Sequence, residues 1–202
     1  MKDQRQLLIG TGNPGKAHEM RALFADTPVE LVTLTDLGLQ LSVPETGGSY
    51  QANASHKALV YAQAADLWTL ADDTGLEVSA LNGAPGLYSA RLAGPGASDA
   101  DRRRRLLSML APYPRPWIAR FHCTLVLASP KAVIATTDGD CPGQIIPQAH
   151  GKGGFGYDPI FLVDGEERTM AELSEAQKNR ISHRGRAAAA MVAILRQELS
   201  AH

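Results

Sequence analysis

Short apolar runs and amphipathic stretches divide this chain into predicted strands and helices. The apolar runs predict strands at residues 7–10, 29–34, 67–71 and 76–81, followed by a hairpin of two long strands at 117–128 and 131–137. Apolar residues spaced three and four apart predict helices that begin at 14, cover 50–65, extend from 98 to 112, and run from 172 to 199. Asn13 and Ser98 are the expected N-cap residues of two of these helices.

A glycine-rich turn, the first glycine loop (residues 10–16), follows the first predicted strand. A strand, a turn and a helix N-terminus together favour phosphate, because backbone amides and the helix dipole attract anions. The spacing from Gly10 to Lys16 also fits a P-loop, but Ala17 stands where a P-loop has a Ser or Thr hydroxyl for Mg²⁺. If this loop binds phosphate, carboxylates elsewhere must hold the metal. A plain strand-to-helix turn is the alternative.

Two adjacent carboxylates, Asp72 and Asp73, follow the third apolar run. Side chains alternate between the two faces of a strand, so these two cannot point the same way while the chain stays extended. One is expected to face a cleft and the other to brace the loop. The strand is expected to end here, with Gly75 allowing a sharp turn. A solvated turn is the alternative, since Asp and Gly are common turn residues.

The helix predicted over 50–65 carries polar residues on an otherwise apolar face. Tyr50, Asn53 and Lys57 share this face by their spacing. Either Lys57 extends to water along apolar surface, or the polar pair lines a pocket for an anionic ligand. Glu45 stands just before the helix, close enough to join a carboxylate cluster with the aspartate pair.

The densest run of glycines, the second glycine loop (residues 151–159), contains two aromatic residues and an aspartate. Glycines let backbone pass close to a flat ligand, and Phe155 or Tyr157 offers a face for stacking. A flexible loop is the alternative. Further along, Lys178, His183 and Arg184 are expected to form a local cationic cluster, although a structural role for His183 fits equally well.

The overall charge gives no reason to expect a nucleic-acid or membrane partner. The net charge of the 202 residues is −1, so no bulk field attracts a polyanion, and a local cluster must hold any polyanion that binds. The four arginines at 102–105 are expected to pair with Asp99 and Asp101 at a solvated helix start.

The remaining composition is typical of a cytoplasmic protein. Cys123 and Cys141 lack metal-type spacing and are expected to be free thiols in a reducing compartment. The apolar residues after the N-terminus are too few for a signal peptide. The longest apolar run, 187–195, is far shorter than the roughly 20 residues that span a bilayer.

These residue types together favour a Mg²⁺-dependent nucleotide phosphohydrolase. Lysines neutralise phosphate oxygens, carboxylates hold Mg²⁺ and activate water, and an aromatic ring stacks on a base. The residues alone choose neither the base nor the bond that is cleaved. Two alternatives are a P-loop-like kinase or ATPase, which Ala17 argues against, and a nucleotide sensor without turnover, which the intact carboxylates argue against.

Six motifs resemble the inosine/xanthosine triphosphate pyrophosphatase (ITPase) family, and they occur in order over nearly the whole chain. They are Thr11 to Lys16, Glu45 to Gly47 with Asn53, Ala54 and Lys57, Asp72 to Leu76, Pro85 to Arg91, Gly153 to Phe161, and Ser182 to Arg184. The resemblance implies Mg²⁺-dependent hydrolysis of deaminated purine nucleoside triphosphates (ITP, dITP, XTP) to monophosphate and pyrophosphate. It also implies an α/β fold, with an elongated mixed β-sheet, flanking helices and two lobes around a central nucleotide cleft. One domain over 1–202, usually as a homodimer, is expected.

The resemblance also implies roles for individual residues. Asp73 is the expected general base, with Lys16 and Glu45 as further catalytic residues and Glu45, Asp72 and Asp73 at the Mg²⁺ site. The residues expected to contact phosphates or sugar are Thr11, Gly12, Asn13, Pro14, Gly15, Lys16, Lys57 and Thr74. Those expected around the base are Phe155, Gly156, Tyr157, Asp158, Lys178, His183 and Arg184. Thr74 and Tyr50 depart from the family's usual Ser and Phe.

Overall fold

The computed structural model describes residues 5–201. Its helices are α1 (Pro14–Leu23), α2 (Tyr50–Ala65), α3 (Asp99–Leu110), α4 (Glu175–Ile181) and α5 (His183–Ala201). Its strands are β1 (Gln6–Ile9), β2 (Glu30–Thr33), β3 (Trp68–Val78), β4 (Pro85–Gly86), β5 (Trp117–Ala128), β6 (Val133–Ile145) and β7 (Phe161–Val163). Residues 1–4 lie outside the described part. The N-terminal segment that is expected to be too short for a signal peptide starts within them. Within 5–201, none of the helices has the length and apolarity needed to cross a bilayer.

The strands form a mixed sheet, which confirms the expected α/β class. Hydrogen bonds join them in the order β2-β1-β3-β5-β6-β7, with β4 paired to β3. Strand β1 runs parallel to both β2 and β3, whereas the pairs β3–β4 and β6–β7 are antiparallel. The chain forms two compact units. Unit 1 contains the residues up to Asp73, then Cys123–Gly139 and the chain from Arg184, and unit 2 contains Thr74–His122 and Asp140–His183.

Unit 1 has helices on both faces of its strands. Leu7 and Ile9 of β1 point to one face, where Met20 of α1 and Met191 of α5 pack on them. Leu8 points to the other face, where the core includes Tyr61 of α2. Strand β3 divides in the same way, because Leu70 joins the α1 and α5 side while Ala71 joins α2. The residues that follow on β3 must continue this alternation.

Unit 2 is built around a second apolar core. Leu106 and Leu110 of α3 pack there with Leu76 and Val78 of β3. The same core contains Phe121, Cys141, Tyr157, Phe161 and Met170. Both cysteines of the chain, Cys123 in unit 1 and Cys141 in unit 2, are buried free thiols, as expected. Helix α3 begins at the predicted N-cap, Ser98, which forms a capping box with Asp101.

The predicted strand end at the aspartate pair is wrong. Strand β3 continues through Asp72, Asp73 and Gly75 to Val78, and Gly75 does not adopt a positive φ. The separate strand predicted at 76–81 is therefore the second half of β3, and Ser79–Leu81 forms a 3₁₀ turn. The backbone stays extended here because β3 pairs with β4 and because Ser89 Oγ accepts the Leu76 N–H at 2.8 Å.

The single helix predicted over 172–199 is also wrong, since two helices occupy this region. Helix α4 ends at Ile181. Its C-cap, Ser182, has an extended backbone (φ −70°, ψ 159°), and α5 starts at the next residue. Ser174 and Gln177 form a capping box at the start of α4. The interruption allows His183 to belong to unit 2 while Arg184 belongs to unit 1.

Candidate active site

The first glycine loop is shaped by side chains that bind its own backbone. Asn13 Oδ1 accepts the N–H groups of Gly15 (2.9 Å) and Lys16 (3.1 Å), which confirms it as the N-cap of α1. Thr11 Oγ1 accepts the Asn13 N–H at 3.2 Å. Gly10 has no room for a side chain, since a Cβ would lie 2.8 Å from side-chain atoms of Thr69. The loop therefore has a defined form, with the α1 N-terminus at its end.

The first glycine loop lines an open cavity of about 590 Å³ in unit 1. The cavity wall includes Thr11 to Pro14 on one side and Leu39 to Ser42 on the other. His18 and Arg21 of α1 add basic groups to this wall. The helix N-terminus favours an anion at this cavity, while the Arg21 guanidinium already pairs with Asp36.

Asp72 lies at the centre of a buried charge cluster formed by α1, β3 and α5. Its Oδ2 atom lies 3.0 Å from Lys16 Nζ and accepts hydrogen bonds from Arg184 Nη2 (3.1 Å) and Nε (3.3 Å). Arg184 Nη1 also donates to Glu19 of α1. Asp72 and Arg184 are only 2% and 1% exposed. Charges this deeply buried need compensation, which the buried Arg184 guanidinium supplies to Asp72 and Glu19.

The Arg184 guanidinium stays charged in this cluster. Burial acts to lower its pKa, but the carboxylates of Asp72 and Glu19 outweigh burial and hold the pKa above its usual value. Cys123 adds a weak contact, with its Sγ atom 4.0 Å from Asp72 Oδ2. Alternation along β3 explains the whole cluster, since Asp72 points to the face that α1 and α5 cover.

Asp73 points to the opposite face, towards α2. Its Oδ2 accepts from Asn53 Nδ2 at 2.8 Å, and its Oδ1 lies 3.8 Å from Lys57 Nζ. The same Lys57 ammonium donates to Glu45 Oε1 at 2.5 Å. Asn53 also accepts the N–H of Gly47 at 2.7 Å, and so ties the loop that carries Glu45 to Asp73.

The interpretation in which Lys57 extends to water is wrong. Lys57 is 7% exposed and its ammonium ends between Glu45 and Asp73. Burial acts to lower its pKa, but the carboxylates of Asp72, Glu45 and Asp73 outweigh burial, and the net pKa is raised. Lys57 therefore remains protonated and supplies a fixed positive charge inside unit 1.

The Asp73 carboxyl is held in a state suited to accepting a proton. Burial raises its pKa more than the nearby Lys57 ammonium and the Asn53 hydrogen bond lower it. A carboxylate whose pKa is raised is a stronger base than an ordinary aspartate, which is the property that a general base needs. The predicted separation of the two aspartates onto different faces is thus confirmed, and the two differ in chemistry.

Some of the carboxylates in this region are suitable ligands for a magnesium ion. Glu45 and Asp73 are oxygen donors that already share one cation, Lys57, which shows that a positive charge is stable between them. Over residues 5–201 no group of three or more His, Cys, Asp or Glu side chains is arranged to hold a metal, and Asp72 belongs to the other cluster. Mg²⁺ commonly uses one or two carboxylates together with substrate phosphates, so two donors are compatible with this ion.

The second glycine loop in unit 2 is organised by a buried ion pair. Lys178 Nζ of α4 lies 2.6 Å from Asp158 Oδ2, which also accepts the Phe155 N–H at 2.9 Å. The Lys178 ammonium lies over the Phe155 ring, 5.1 Å from its centroid. Gly154 adopts φ +67°, and a Cβ there would lie 2.0 Å from the Asp158 carboxylate. The alternative of a flexible loop is therefore not what the structure shows.

The other residues predicted to surround the base have partners outside the second glycine loop. The buried Tyr157 donates its hydroxyl to the Ser89 carbonyl at 2.8 Å. His183 stacks on Phe121, with ring centroids 4.7 Å apart. The expected cationic cluster of Lys178, His183 and Arg184 does not form. Lys178 pairs with Asp158, His183 stacks on Phe121, and Arg184 belongs to the Asp72 cluster.

Two groups of site residues were missed from the sequence. Glu19, the partner of Arg184, lies three positions after Lys16 on α1, and this helical spacing was the available signal. Asp99 and Arg103 of α3 contact the backbone of Gly156, and nothing in the local sequence indicates that contact.

A model of the Ham1 family matches residues 7–194. The chain is 42% identical over 183 residues to a dITP/XTP pyrophosphatase of Desulforamulus reducens, covering 90% of this chain and 91% of the relative. It is 41% identical over 199 residues to a dITP/XTP pyrophosphatase of Vibrio vulnificus, covering 96% and 98%. The solved structure of a HAM1 protein from Coxiella burnetii superimposes with a TM-score of 0.86 at 37% identity, covering 96% of this chain and 100% of that one.

These similarities extend over almost the whole described chain rather than over one motif. They confirm the resemblance that the six motifs indicated, and they agree with the mixed sheet and flanking helices. The chain belongs to the Ham1 family.

Proposed function

We propose that this protein hydrolyses deaminated purine nucleoside triphosphates, namely dITP, ITP and XTP, to the monophosphate and pyrophosphate. The reaction would remove these nucleotides before they enter DNA or RNA. The observation that carries the proposal is the setting of Asp73, a carboxylate of raised pKa held by Asn53 beside the Lys57–Glu45 pair. Relatives named dITP/XTP pyrophosphatases, similar over nine-tenths of the chain, support the choice of substrate.

In the proposed reaction Asp73 accepts a proton from the attacking water. The water oxygen forms a bond to the α-phosphorus, and the bond from that phosphorus to the bridging oxygen breaks, which releases pyrophosphate. Lys57 and Lys16 neutralise charge on the phosphate oxygens, and the N–H groups of the first glycine loop bind the phosphate chain. Thr74 follows Asp73 directly and contributes a hydroxyl to phosphate or sugar. The ammonium groups of Lys16 and Lys57 already lie beside Asp72 and Asp73.

Mg²⁺ is the proposed cofactor, with Glu45 and Asp73 as its main protein ligands. Asp72, the third carboxylate expected at the metal, lies on the opposite face of β3 and would have to exchange Lys16 and Arg184 to join them. When bound, it would neutralise triphosphate charge and increase the electrophilicity of the phosphorus. Glu45 and Asp73 support this assignment because their oxygens share a cation in the structure.

The base is proposed to bind at the second glycine loop. Phe155 supplies an aromatic face, and Asp158 and Lys178 supply polar groups near it. His183, which stacks on Phe121, is a further proposed base contact. A donor aimed at the 6-keto oxygen would reject adenine, whose amino group cannot accept that hydrogen bond. Arg184 remains a candidate for this donor, but its guanidinium is bound by Asp72 and Glu19, so contact with a base requires it to exchange these partners.

The proposal also covers the domain organisation, the cellular compartment and the oligomeric state of the protein. Residues 1–202 act as one catalytic domain, since the family model spans both compact units. The protein works in the cytoplasm, which its two free thiols favour. It forms a homodimer, as the resemblance implies.

The proposed function predicts a specific pattern of nucleotide hydrolysis. With Mg²⁺ present, ITP, dITP and XTP are expected to yield monophosphate and pyrophosphate far faster than ATP, GTP or dTTP. The measurement is pyrophosphate release across these nucleotides, with the nucleotide product identified by chromatography. EDTA is expected to stop the reaction and added Mg²⁺ to restore it.

Three outcomes of this assay would contradict the proposal. Diphosphate with free phosphate would show attack at the terminal phosphorus, as a P-loop-like ATPase performs it. Binding of ITP with no turnover would indicate a nucleotide sensor. Equal rates for ATP and ITP would contradict the proposed role of the second glycine loop in base selection.

Replacing Lys16 by alanine is expected to raise KM for ITP more than it changes kcat or the fold. The ammonium lies at the start of α1 with 15% of its side chain exposed, so it can reach a phosphate while pairing with Asp72. Loss of one charged contact predicts about a tenfold rise in KM. Steady-state kinetics and a thermal melt measure both effects. Lys131→Ala, at an exposed turn residue, is the matched control, and a melted Lys16→Ala protein would instead indicate a structural lysine.

A further inference from the structure

The backbone of Gly156, in the middle of the second glycine loop, is bound through both its N–H and its C=O by side chains of helix α3. Asp99 Oδ2 accepts the Gly156 N–H at 2.7 Å. Arg103 Nη1 donates to the Gly156 carbonyl at 2.6 Å. Gly156 has φ +61°, a conformation that glycine adopts without strain, and in it the N–H and C=O of this residue both reach α3. These contacts span 57 and 53 residues of sequence within unit 2.

Helix α3 presents these two side chains from a well-defined N-terminus. Ser98 and Asp101 form its capping box, and Asp99 lies in the first turn. Arg102 pairs with Asp99 Oδ1, which leaves Oδ2 for the Gly156 N–H. Burial acts to raise the pKa of Asp99, but the hydrogen bonds from Arg102 and Gly156 outweigh burial and lower it, so the acceptor is ionised. Hydrogen bonds to charged groups are stronger than neutral ones.

The positions of the residues that flank Gly156 in the loop depend on where its backbone is held. Phe155 precedes it, and its ring lies under the Lys178 ammonium. Tyr157 and Asp158 follow it, bound to Ser89 and Lys178. Phe155 and Gly156 are only partly buried, so packing alone does not hold this part of the loop. Hydrogen bonds to α3 therefore supply a constraint that the apolar core does not.

We propose that Asp99 and Arg103 are positioning residues for base recognition, an inference that rests on the proposed function. They fix the backbone on both sides of Gly156 and thereby orient Phe155 against the base, without touching the nucleotide themselves. The consequence is that the preference for deaminated purines depends on a helix in which no base-contacting residue was predicted.

The test compares Arg103→Met with Arg104→Met, a matched change one residue along the same helix. The Arg104 side chain is 77% exposed and pairs only weakly with Asp101, at 3.4 Å. Arg103→Met is expected to raise KM for ITP about tenfold and to reduce the preference for ITP over ATP, with kcat nearly unchanged, because one charge-assisted hydrogen bond is lost away from the phosphates. Arg103→Lys, which keeps one donor, is expected to restore part of the affinity.

A second measurement follows the loop without any nucleotide. Backbone amide hydrogen exchange over residues 151–158 is expected to be faster in Arg103→Met than in Arg104→Met, while both keep the unfolding midpoint of the parent protein. Equal exchange, or equal KM values in the two variants, would overturn the inference while the parent still hydrolyses ITP. Failure of the parent protein itself to hydrolyse ITP would overturn the proposed function and, with it, this inference.

Discussion

Replacing Asp73 by asparagine is expected to lower kcat for ITP hydrolysis by roughly a hundredfold to ten-thousandfold, the usual contribution of a positioned general base. Asparagine keeps the shape of the side chain and an oxygen that can accept from Asn53 Nδ2, which lies 2.8 Å from the carboxylate. It cannot accept a proton from water, and it is a weaker ligand for Mg²⁺. The fold and ITP binding are therefore expected to persist while turnover is lost. Steady-state kinetics, calorimetric ITP binding and a denaturation curve measure the three properties.

The matched control is Asp140→Asn, at another strand carboxylate. Asp140 lies on β6 in unit 2, with its carboxylate 2.8 Å from His122 and 3.5 Å from Arg120. This change removes the same charge from a site with no proposed role in catalysis, so kcat is expected to stay near that of the parent. Near-normal turnover in Asp73→Asn would remove Asp73 from the role of base. A variant that neither binds ITP nor folds would indicate that Asp73 is needed for structure first.

Elements with strong local signals were predictable from the sequence. Helix α2 has the predicted bounds, because a serine N-cap and apolar residues at helical spacing are signals contained within the segment itself. Asn13 and Pro14 likewise identify the start of α1. The β5–β6 hairpin follows from two long apolar runs on either side of Ser129 and Pro130. In each case neighbouring residues carry the information.

The course of β3 was not predictable in this way. Aspartate and glycine are depleted in strands, so Asp72 to Gly75 favours a turn by composition. The strand continues because β3 pairs with β4 and because cations distant in sequence, Lys16, Lys57 and Arg184, lie beside the carboxylates. Those partners come from three different helices, and no local pattern shows that they meet β3.

The sequence predicts which residue types form the candidate site, but not which cation contacts which carboxylate. Strand alternation alone separates Asp72 from Asp73, and that prediction is confirmed. Which cation joins which carboxylate depends on α1 and α5 covering one face of β3 while α2 covers the other. Arg184 illustrates the limit, since its place beside His183 in the sequence suggested a shared cluster. The break before α5 instead directs the two to different surroundings.

Replacing Arg184 by methionine is expected to lower the free energy of unfolding by about 3–5 kcal/mol, the cost of removing one partner from a buried ion pair. Arg184 is 1% exposed, and its guanidinium binds Asp72 and Glu19 at once. Methionine fills similar volume without a charge, so two buried carboxylates lose the cation that joins them. Urea denaturation followed by tryptophan fluorescence measures the change.

The control is Arg186→Met, two residues along the same helix at an exposed position, where little change is expected. A second variant, Arg184→Met combined with Glu19→Gln, tests the cause. Because Glu19→Gln removes one of the carboxylates that Arg184 neutralises, the double variant is expected to lose less stability than the sum of the two single changes. Additive losses would show that Arg184 stabilises unit 1 by packing alone. Parent-like stability in Arg184→Met would show that Lys16, 3.0 Å from Asp72, suffices to compensate the buried charge.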